Sequence, residues 1–217
     1  MTILTEQIVF PDVSLADTEG LLAVGGDLSP ERLSLAYRNG IFPWYNPGSP
    51  ILWWSPDPRM VLYPKNVKVS KSMRQLFKSD RFRLTKNTRF EEVIENCSSI
   101  ERVGQKGTWI SEEMKQAYIA LHETGRAVSY EVWEDSVLVG GLYGVDLGHV
   151  FCGESMFSKV SNASKFAFIK LAEECLSKGY ELIDCQLYTK HLESLGAEEI
   201  PRENFIAILS SNDAESF

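Results

Sequence analysis

Between residues 111 and 186 the apolar positions change spacing in a way that reads as a helix, three strands, a second helix and a fourth strand. Met114, Ala117, Tyr118 and Leu121 recur at the one-face spacing of a helix, with Ser111 as its cap, Glu112 and Glu113 in its first turn and Gly125 after its end. The runs "AVSYEVWE", "SVLVGGLYGVDL" and "HVFCGESMF" then read as strands. Their short turns at Glu134-Asp135-Ser136 and Leu147-Gly148 predict an antiparallel meander. "NASKFAFIKLAEECLSKG" returns to helical spacing with Phe166, Ile169, Ala172 and Leu176 inward and Gly179 as terminator. "YELIDCQ" is a strand, "TKHLESLG" a short helix, and the apolar run "ENFIAIL" reads as a last strand.

Upstream, "LSPERLSLAYRNG" is a short helix with Ser29 as N-cap, Pro30 at the first helical position and Asn39-Gly40 as stop. It runs straight into "IFPWYNPGSPILWWSPDPR", residues 41–59, where prolines alternate with aromatics and no regular helix or central strand is expected. This stretch reads as an ordered, folded-over loop whose aromatics either plug a core or line a pocket. A boundary falls where proline density drops, giving a small N-terminal domain over residues 1–62 and a larger one over 63–217. "SKSMRQLFKS" then forms a helix with Lys71, Arg74 and Lys78 on one side and Met73, Leu76 and Phe77 on the other. "RFRLT" continues as a strand with Arg81 and Arg83 outward, and "FEEVIENC" as a helix.

Charge alters the picture more than composition does. The chain carries −8 overall, yet Arg59 to Arg89 holds ten Lys/Arg and one acid. A polyanion senses local charge within roughly 8–10 Å, so this segment is a candidate RNA surface despite the acidic total. A solvated charged face is the alternative. The 44% apolar content is that of a globular chain, no apolar run approaches a membrane span, and "MTILTEQIVFPDV" lacks the basic and apolar regions of a secretion signal, so a cytoplasmic protein is expected, and nothing in the sequence demands more than a monomer. Cys97, Cys152, Cys175 and Cys185 form no CxxC pair and no zinc spacing; they read as reduced, mostly buried thiols with no metal role.

Three polar residues interrupt apolar strands: Glu154 in "FCGESMF", and Asp184 and Gln186 in "LIDCQLY". Period 2 puts Asp184 and Gln186 on one face with Cys185 on the other. A carboxylate buried there needs a cation or a role in a site; strand-end acids meeting solvent or a structural cation are the alternative. His122, His149 and His191 are scattered, so covalent catalysis has little support. An acid with an amide can instead hold an amine, take its proton and steady a tetrahedral intermediate, which suffices for aminolysis of an activated ester.

The element order makes the class α+β and resembles the N-acetyltransferase (GNAT) fold, a mixed, mostly antiparallel sheet flanked by helices. Acetyl-CoA enzymes of that fold carry a Gly-rich turn before the helix after the third strand; here "MFSKVSNASKFA" has no glycine, which disfavours CoA as donor. A more specific resemblance follows. "GLLAVGGDLSPERLSLAYRNGIFPWYNPGSPILWWSPDPRMVLYP", "GTWI", "GGLYGV", "FCGESMFS", "NASK", "LIDCQ" and "LGAEEIPR", spanning Gly20 to Arg202, resemble the signature blocks of the bacterial leucyl/phenylalanyl-tRNA–protein transferases.

The resemblance implies transfer of Leu or Phe, and less readily Met, from aminoacyl-tRNA to the N-terminal Arg or Lys of a protein, marking it for N-degron degradation, without metal, CoA or ATP. It further implies that Asp184 and Gln186 hold and activate the acceptor amine while Glu154 supports the donor and the proton network. Trp44 would pack on the terminal adenosine with Trp109 beside it. Leu142 and Leu171 would shape the side-chain pocket, where the family carries Met and an aromatic respectively. The helix stripe Lys71, Arg74 and Lys78, continued by Arg81 and Arg83, would seat the tRNA acceptor stem through phosphates and shape. Trp53 and Trp54 are expected to pack between the domains. Two other readings are a CoA-dependent N-acetyltransferase and a non-catalytic RNA-binding module.

Overall fold

The computed structural model describes residues 2–100 and 109–211. The chain opens with β1 (Thr2–Leu4) and β2 (Leu21–Gly25), paired in parallel, followed by α1 (Pro30–Arg38), β3 (Phe42–Pro43) and β4 (Leu52–Trp54). The four strands form a small sheet in the order β1-β2-β4-β3. Two of them lie inside the proline-rich stretch expected to be a loop. Proline is accommodated because β3 is an edge strand, where a missing N–H leaves no ladder bond unmade. α1 starts as its caps dictate, with Ser29 accepting from the Arg32 N–H and Pro30 in the first turn.

β5 (Arg59–Leu62) leaves this sheet for a second one. The expected division at residue 62 therefore falls at the end of this strand, not before it. After it come α2 (Lys71–Phe77), β6 (Arg83–Lys86), α3 (Phe90–Ser99), α4 (Glu112–Glu123), β7 (Ala127–Glu134), β8 (Val137–Asp146), β9 (Val150–Ser158), α5 (Ala163–Ser177), β10 (Leu182–Gln186), α6 (Lys190–Ser194), β11 (Glu198–Ile200) and α7 (Arg202–Ser210). The large sheet runs β11-β5-β10-β9-β8-β7-β6, antiparallel throughout except for β9 beside β10. Its two faces carry separate cores. α1, α3, α4 and α7 pack on one face, and α2, α5 and α6 on the other. The α+β class and the β7–β9 meander are as expected.

Two readings need correction. "ENFIAIL" is not a strand but the body of α7, with Phe205 and Leu209 buried one turn apart. A short apolar run fits either period, and the strand position on the β5 edge is already taken by the more polar β11. On α5, Leu176 is 55% exposed while Cys175 is buried. Both positions lie about one turn beyond Ala172, and the helix settles with the smaller side chain against the sheet.

Candidate active site

The parallel pair β9 and β10 sits at the middle of the large sheet and presents Glu154, Asp184 and Gln186 to one another. Close approach of β8 to β9 is possible because residue 144 is glycine: a β-carbon there would stand 2.2 Å from the Cys152 carbonyl oxygen. The strand pleat does not continue through Gln186. The β10–β5 register shifts between Asp184 and Gln186, and Gln186 adopts the left-handed region at φ +64°, a cost of roughly 1–2 kcal/mol for a residue other than glycine. That turn aims the Gln186 side chain at Glu154, Nε2 donating to Oε1 at 2.6 Å, while its backbone N–H donates to Asp184 Oδ1 at 2.9 Å.

Asp184 is wholly buried and accepts two bonds from Arg59, from Nε at 2.8 Å and Nη2 at 2.7 Å. Arg59 is equally buried, lies over the rings of Phe42 and Phe205, and gives its remaining fork to the Gly40 carbonyl at 3.1 Å. Both Asp184 oxygens are thus engaged by one guanidinium, so the contact expected between Asp184 and an acceptor amine competes with that pair, although Asp184 is also among the residues lining the pocket beside it. Glu154 lies differently. It is half-buried, and its second oxygen accepts from the Tyr118 hydroxyl at 2.8 Å; Tyr118 is bonded in turn to the hydroxyl of Tyr37. Burial lifts the Glu154 carboxyl from the ordinary 4.5 to about 7, against the Tyr37–Tyr118 hydroxyl pair and the Gln186 amide, which favour the ionised form; the charge of Asp184 adds to the rise.

Glu154 and Gln186 form the polar head of a pocket of about 380 Å³. Its apolar wall includes Leu142, Met156, Phe168 and Leu171, so both leucines expected to shape a side-chain pocket do line one. Cys185 and His191 also reach it. Burial pushes the Cys185 thiol well above its ordinary range, and burial with the charge of Lys165 pulls His191 below its own, so at neutral pH neither is a thiolate or an imidazolium. Nothing in this set resembles a nucleophile with its activating base.

The aromatic and basic candidates lie around this centre. Trp44 is 39% exposed, its ring edge-on to Trp54 at 5.8 Å, and the Trp54 indole N–H donates to the Trp44 carbonyl at 2.7 Å. Trp109 is half-buried against the core that contains α3 and α4. Trp53 is fully buried within the small sheet, against Phe10 and bonded to the Gly25 carbonyl. It packs inside the N-terminal sheet, not between domains. On α2, Lys71, Arg74 and Lys78 are exposed with no carboxylate partner among the described residues, while Met73 is buried. Arg81 pairs with Glu134 at 2.7 Å, which offsets one of the two charges expected there, while Arg83 lies over the Trp133 ring and keeps its charge. α2 rests on α5 through Phe77 and Phe166, whose rings are 4.9 Å apart, and α5 supplies Phe168 and Leu171 to the pocket. The basic face and the pocket thus share one helix.

Comparison with known proteins decides the family. The family described as leucyl/phenylalanyl-tRNA protein transferase matches residues 61–210, and its N-terminal domain matches residues 26–57. The chain belongs to the leucyl/phenylalanyl-tRNA–protein transferase family. Relatives bearing that name are 62% identical in Flavobacterium johnsoniae, over 97% of this chain and 100% of the relative, and 61% identical in Christiangramia forsetii, over 96% and 100%. Among solved structures, a GCN5-related N-acetyltransferase-like protein from Streptococcus suis aligns with a TM-score of 0.41 at 14% identity, over 74% of this chain and 59% of that one. Within the family frame, the turn before α5 has a particular feature: Asn162 stands there at φ +71°, the left-handed conformation that asparagine tolerates best after glycine. The missing glycine is thus no bar to that backbone shape, and it does not by itself argue against CoA.

Arg59, Tyr37 and Tyr118 are functional neighbours that sequence reasoning missed. Each carried a signal. An arginine followed by the apolar run "MVLY" has to find a carboxylate, and a tyrosine on the buried face of a helix has to find a partner for its hydroxyl.

Proposed function

We propose that this chain moves Leu or Phe, and less readily Met, from the 3′ end of aminoacyl-tRNA onto the N-terminal Arg or Lys of a protein in the cytoplasm, marking it for degradation through the N-degron pathway. Membership of the family makes it an aminoacyl-tRNA-dependent transferase acting on protein. The observation that carries the chemistry is the Glu154–Gln186 pair at the head of an apolar pocket of about 380 Å³. A Leu, Phe or Met side chain sits between Leu142 and Leu171, which brings its ester carbonyl to the polar head. The acceptor α-amine donates a hydrogen bond to Gln186 Oε1 and attacks the carbonyl carbon, forming the C–N bond and a tetrahedral intermediate. Glu154 takes the proton the amine must lose. A base near 7 suits an amine whose ordinary value is about 7.7–8.0. As the C–O bond breaks, the same proton returns to the departing ribose oxygen, so protons balance over the cycle.

Asp184 acts in this scheme as a positioning residue. It holds the Gln186 backbone N–H while Arg59 neutralises it. Trp44 stacks on the terminal adenosine, worth roughly 1–3 kcal/mol per base, with Trp109 beside it. The α2 stripe Lys71, Arg74 and Lys78, with Arg81 and Arg83, receives the acceptor-stem phosphates. The ester already holds the energy of the bond to be made, so neither a cofactor nor ATP enters the scheme, and a single chain supplies every named residue. That no helix among the described residues is long and apolar enough to cross a membrane is compatible with this setting.

The test follows radiolabelled Phe from Phe-tRNA onto two peptides that differ only in whether the N-terminal Arg is free or acetylated. Label on the free peptide alone, lost when the tRNA is deacylated beforehand, is the expected result. Label on neither peptide while tRNA remains bound would overturn the reading in favour of an RNA-binding module.

A further inference from the structure

Glu154 is reached from outside its own domain. Tyr37 closes α1 in the N-terminal part of the chain, Tyr118 lies on α4, and both are buried to within 1%. Their hydroxyls are bonded to each other, and Tyr118 lies 2.8 Å from Glu154 Oε2. An ionised carboxylate only accepts, so Tyr118 must spend its one proton on Glu154 and accept from Tyr37. The direction of the chain is therefore Tyr37 to Tyr118 to Glu154. Burial, with the Glu154 charge, holds both phenols well above their ordinary range, so neither loses its proton at any pH where aminolysis runs.

The same turn of α1 reaches the other half of the pair. Gly40, three residues after Tyr37, offers the carbonyl that accepts from Arg59 Nη1; Arg59 grips Asp184, and Asp184 holds the backbone of Gln186. One short segment, Tyr37–Gly40, thus orients Glu154 through a phenol pair and Gln186 through an ion pair.

We infer that Tyr37 and Tyr118 are positioning residues that lock the Glu154 carboxylate onto Gln186 and keep it ionised enough to accept the amine proton, so that the N-terminal domain sets the proton affinity of the transfer site. The inference deepens the function proposed above and rests on it. The groups that face Glu154 are few: Tyr37 from α1, Tyr118 from α4 with Tyr143 of β8 against its ring at 5.4 Å, Asp184 and Gln186 from β10, and the Cys152 thiol on β9. Arg59, the cation of this cluster, is directed to Asp184. The tyrosine hydroxyls and the Gln186 amide are thus the groups that favour the charged form against burial and the Asp184 charge. Deleting the Tyr37 hydroxyl leaves the apolar body of the ring in place and removes that support, while deleting the Tyr118 hydroxyl also takes from the buried Tyr37 O–H its acceptor.

The experiment compares the wild type with Tyr118→Phe and Tyr37→Phe by two readouts. The first is the titration of Glu154 itself, followed by carbon NMR in protein labelled at the glutamate carboxyls, with Glu154→Gln identifying the signal. The second is the pH profile of Phe transfer, with kcat and the donor KM measured separately. Tyr118→Phe is expected to move the Glu154 midpoint upward by about one pH unit and the rising limb of kcat with it. At pH 7 that lowers kcat about fivefold, a loss recovered near pH 9, with the donor KM unchanged within about twofold. Tyr37→Phe moves both midpoints in the same direction by less, and serves alone if Tyr118→Phe does not fold. An unmoved Glu154 midpoint in the variants, or a kcat that falls by the same factor at every pH, overturns the inference. A wild type that transfers nothing, while its Glu154 midpoint does move in the variants, overturns the transferase reading and leaves the positioning intact.

Discussion

Replacing Arg59 by methionine removes the guanidinium but leaves an unbranched apolar stem between the rings of Phe42 and Phe205. Asp184 is then left in the interior without its cation and with the Gln186 N–H still donating to it, and the Gly40 carbonyl loses one donor. Removing one partner of a buried pair costs about 3–5 kcal/mol because the other charge is left uncompensated. Asp184→Asn strands the guanidinium instead and should cost a similar amount. Replacing both, Arg59→Met with Asp184→Leu, removes the two charges together. What remains is the loss of hydrogen bonds to the Gly40 carbonyl and the Gln186 N–H, roughly 1 kcal/mol each, so the double variant should be more stable than either single one. Urea unfolding followed by tryptophan fluorescence, with buried Trp53 as reporter, measures all three. Because Asp184 no longer holds Gln186, the double variant should fold and yet transfer poorly. Single variants that each cost under about 1 kcal/mol, or costs that simply add, would refute the reasoning, since a mutually neutralising pair must couple.

Four further outcomes are expected. Trp44→Ala should weaken binding of Phe-tRNA by roughly 1–3 kcal/mol, read as a 5- to 150-fold rise in Kd, while leaving urea stability nearly unchanged because the ring is 39% exposed. Glu154 has a folded pKa of about 7, above its ordinary 4.5. The stability its burial allows is therefore complete below about pH 4.5 and is lost as pH rises through 7. Glu154→Gln should consequently gain in Tm over the wild type between pH 5 and pH 8, by no more than about 3 kcal/mol in stability, and a constant difference would contradict the assigned burial. Replacing Lys71, Arg74 and Lys78 together with alanine should lower the slope of log Kd for tRNA against log salt by about two to three, with kcat at saturating tRNA preserved; an unchanged slope removes α2 from the RNA surface. Leu171→Phe fills part of the pocket wall and should shift the ratio of transfer toward Leu over Phe, measured with the two charged tRNAs in competition.

How far the sequence led depended on whether a feature was local. α4 and α5 were legible from their caps and spacing, and β7, β8 and β9 from alternation and their two short turns, because each signal lies within about fifteen residues. The assembly of Glu154, Asp184 and Gln186 was legible because polar residues inside apolar strands have few reasons to be there. α7 was misread since "FIAIL" carries no period of its own; its helical state is decided by Phe205 and Ile206 docking on Gly40 and Arg59, contacts more than 140 residues away in sequence. The small sheet escaped notice because its strands are two to five residues long and lie among prolines. The locking of Asp184 by Arg59 spans 125 residues, and nothing near either position announces the other. A separation of 81 residues likewise hid the Tyr37–Tyr118 contact, where Tyr118 read as ordinary core.

Gly40 stands at φ +70°, and a β-carbon there would lie 2.5 Å from the Ile206 methyl. That crevice lets α7, the last helix described, seat directly on the end of α1, the first, with Arg59 enclosed beneath them. α1 and α7 are therefore packed as one unit. Cutting after Ile200 would strip the Phe205 ring from Arg59, and expressing the N-terminal stretch by itself would leave Tyr37 and Gly40 facing water. Denaturation should proceed as a single cooperative event in which the transfer site and the first helix are lost together. Limited proteolysis should then yield no stable fragment lacking α7.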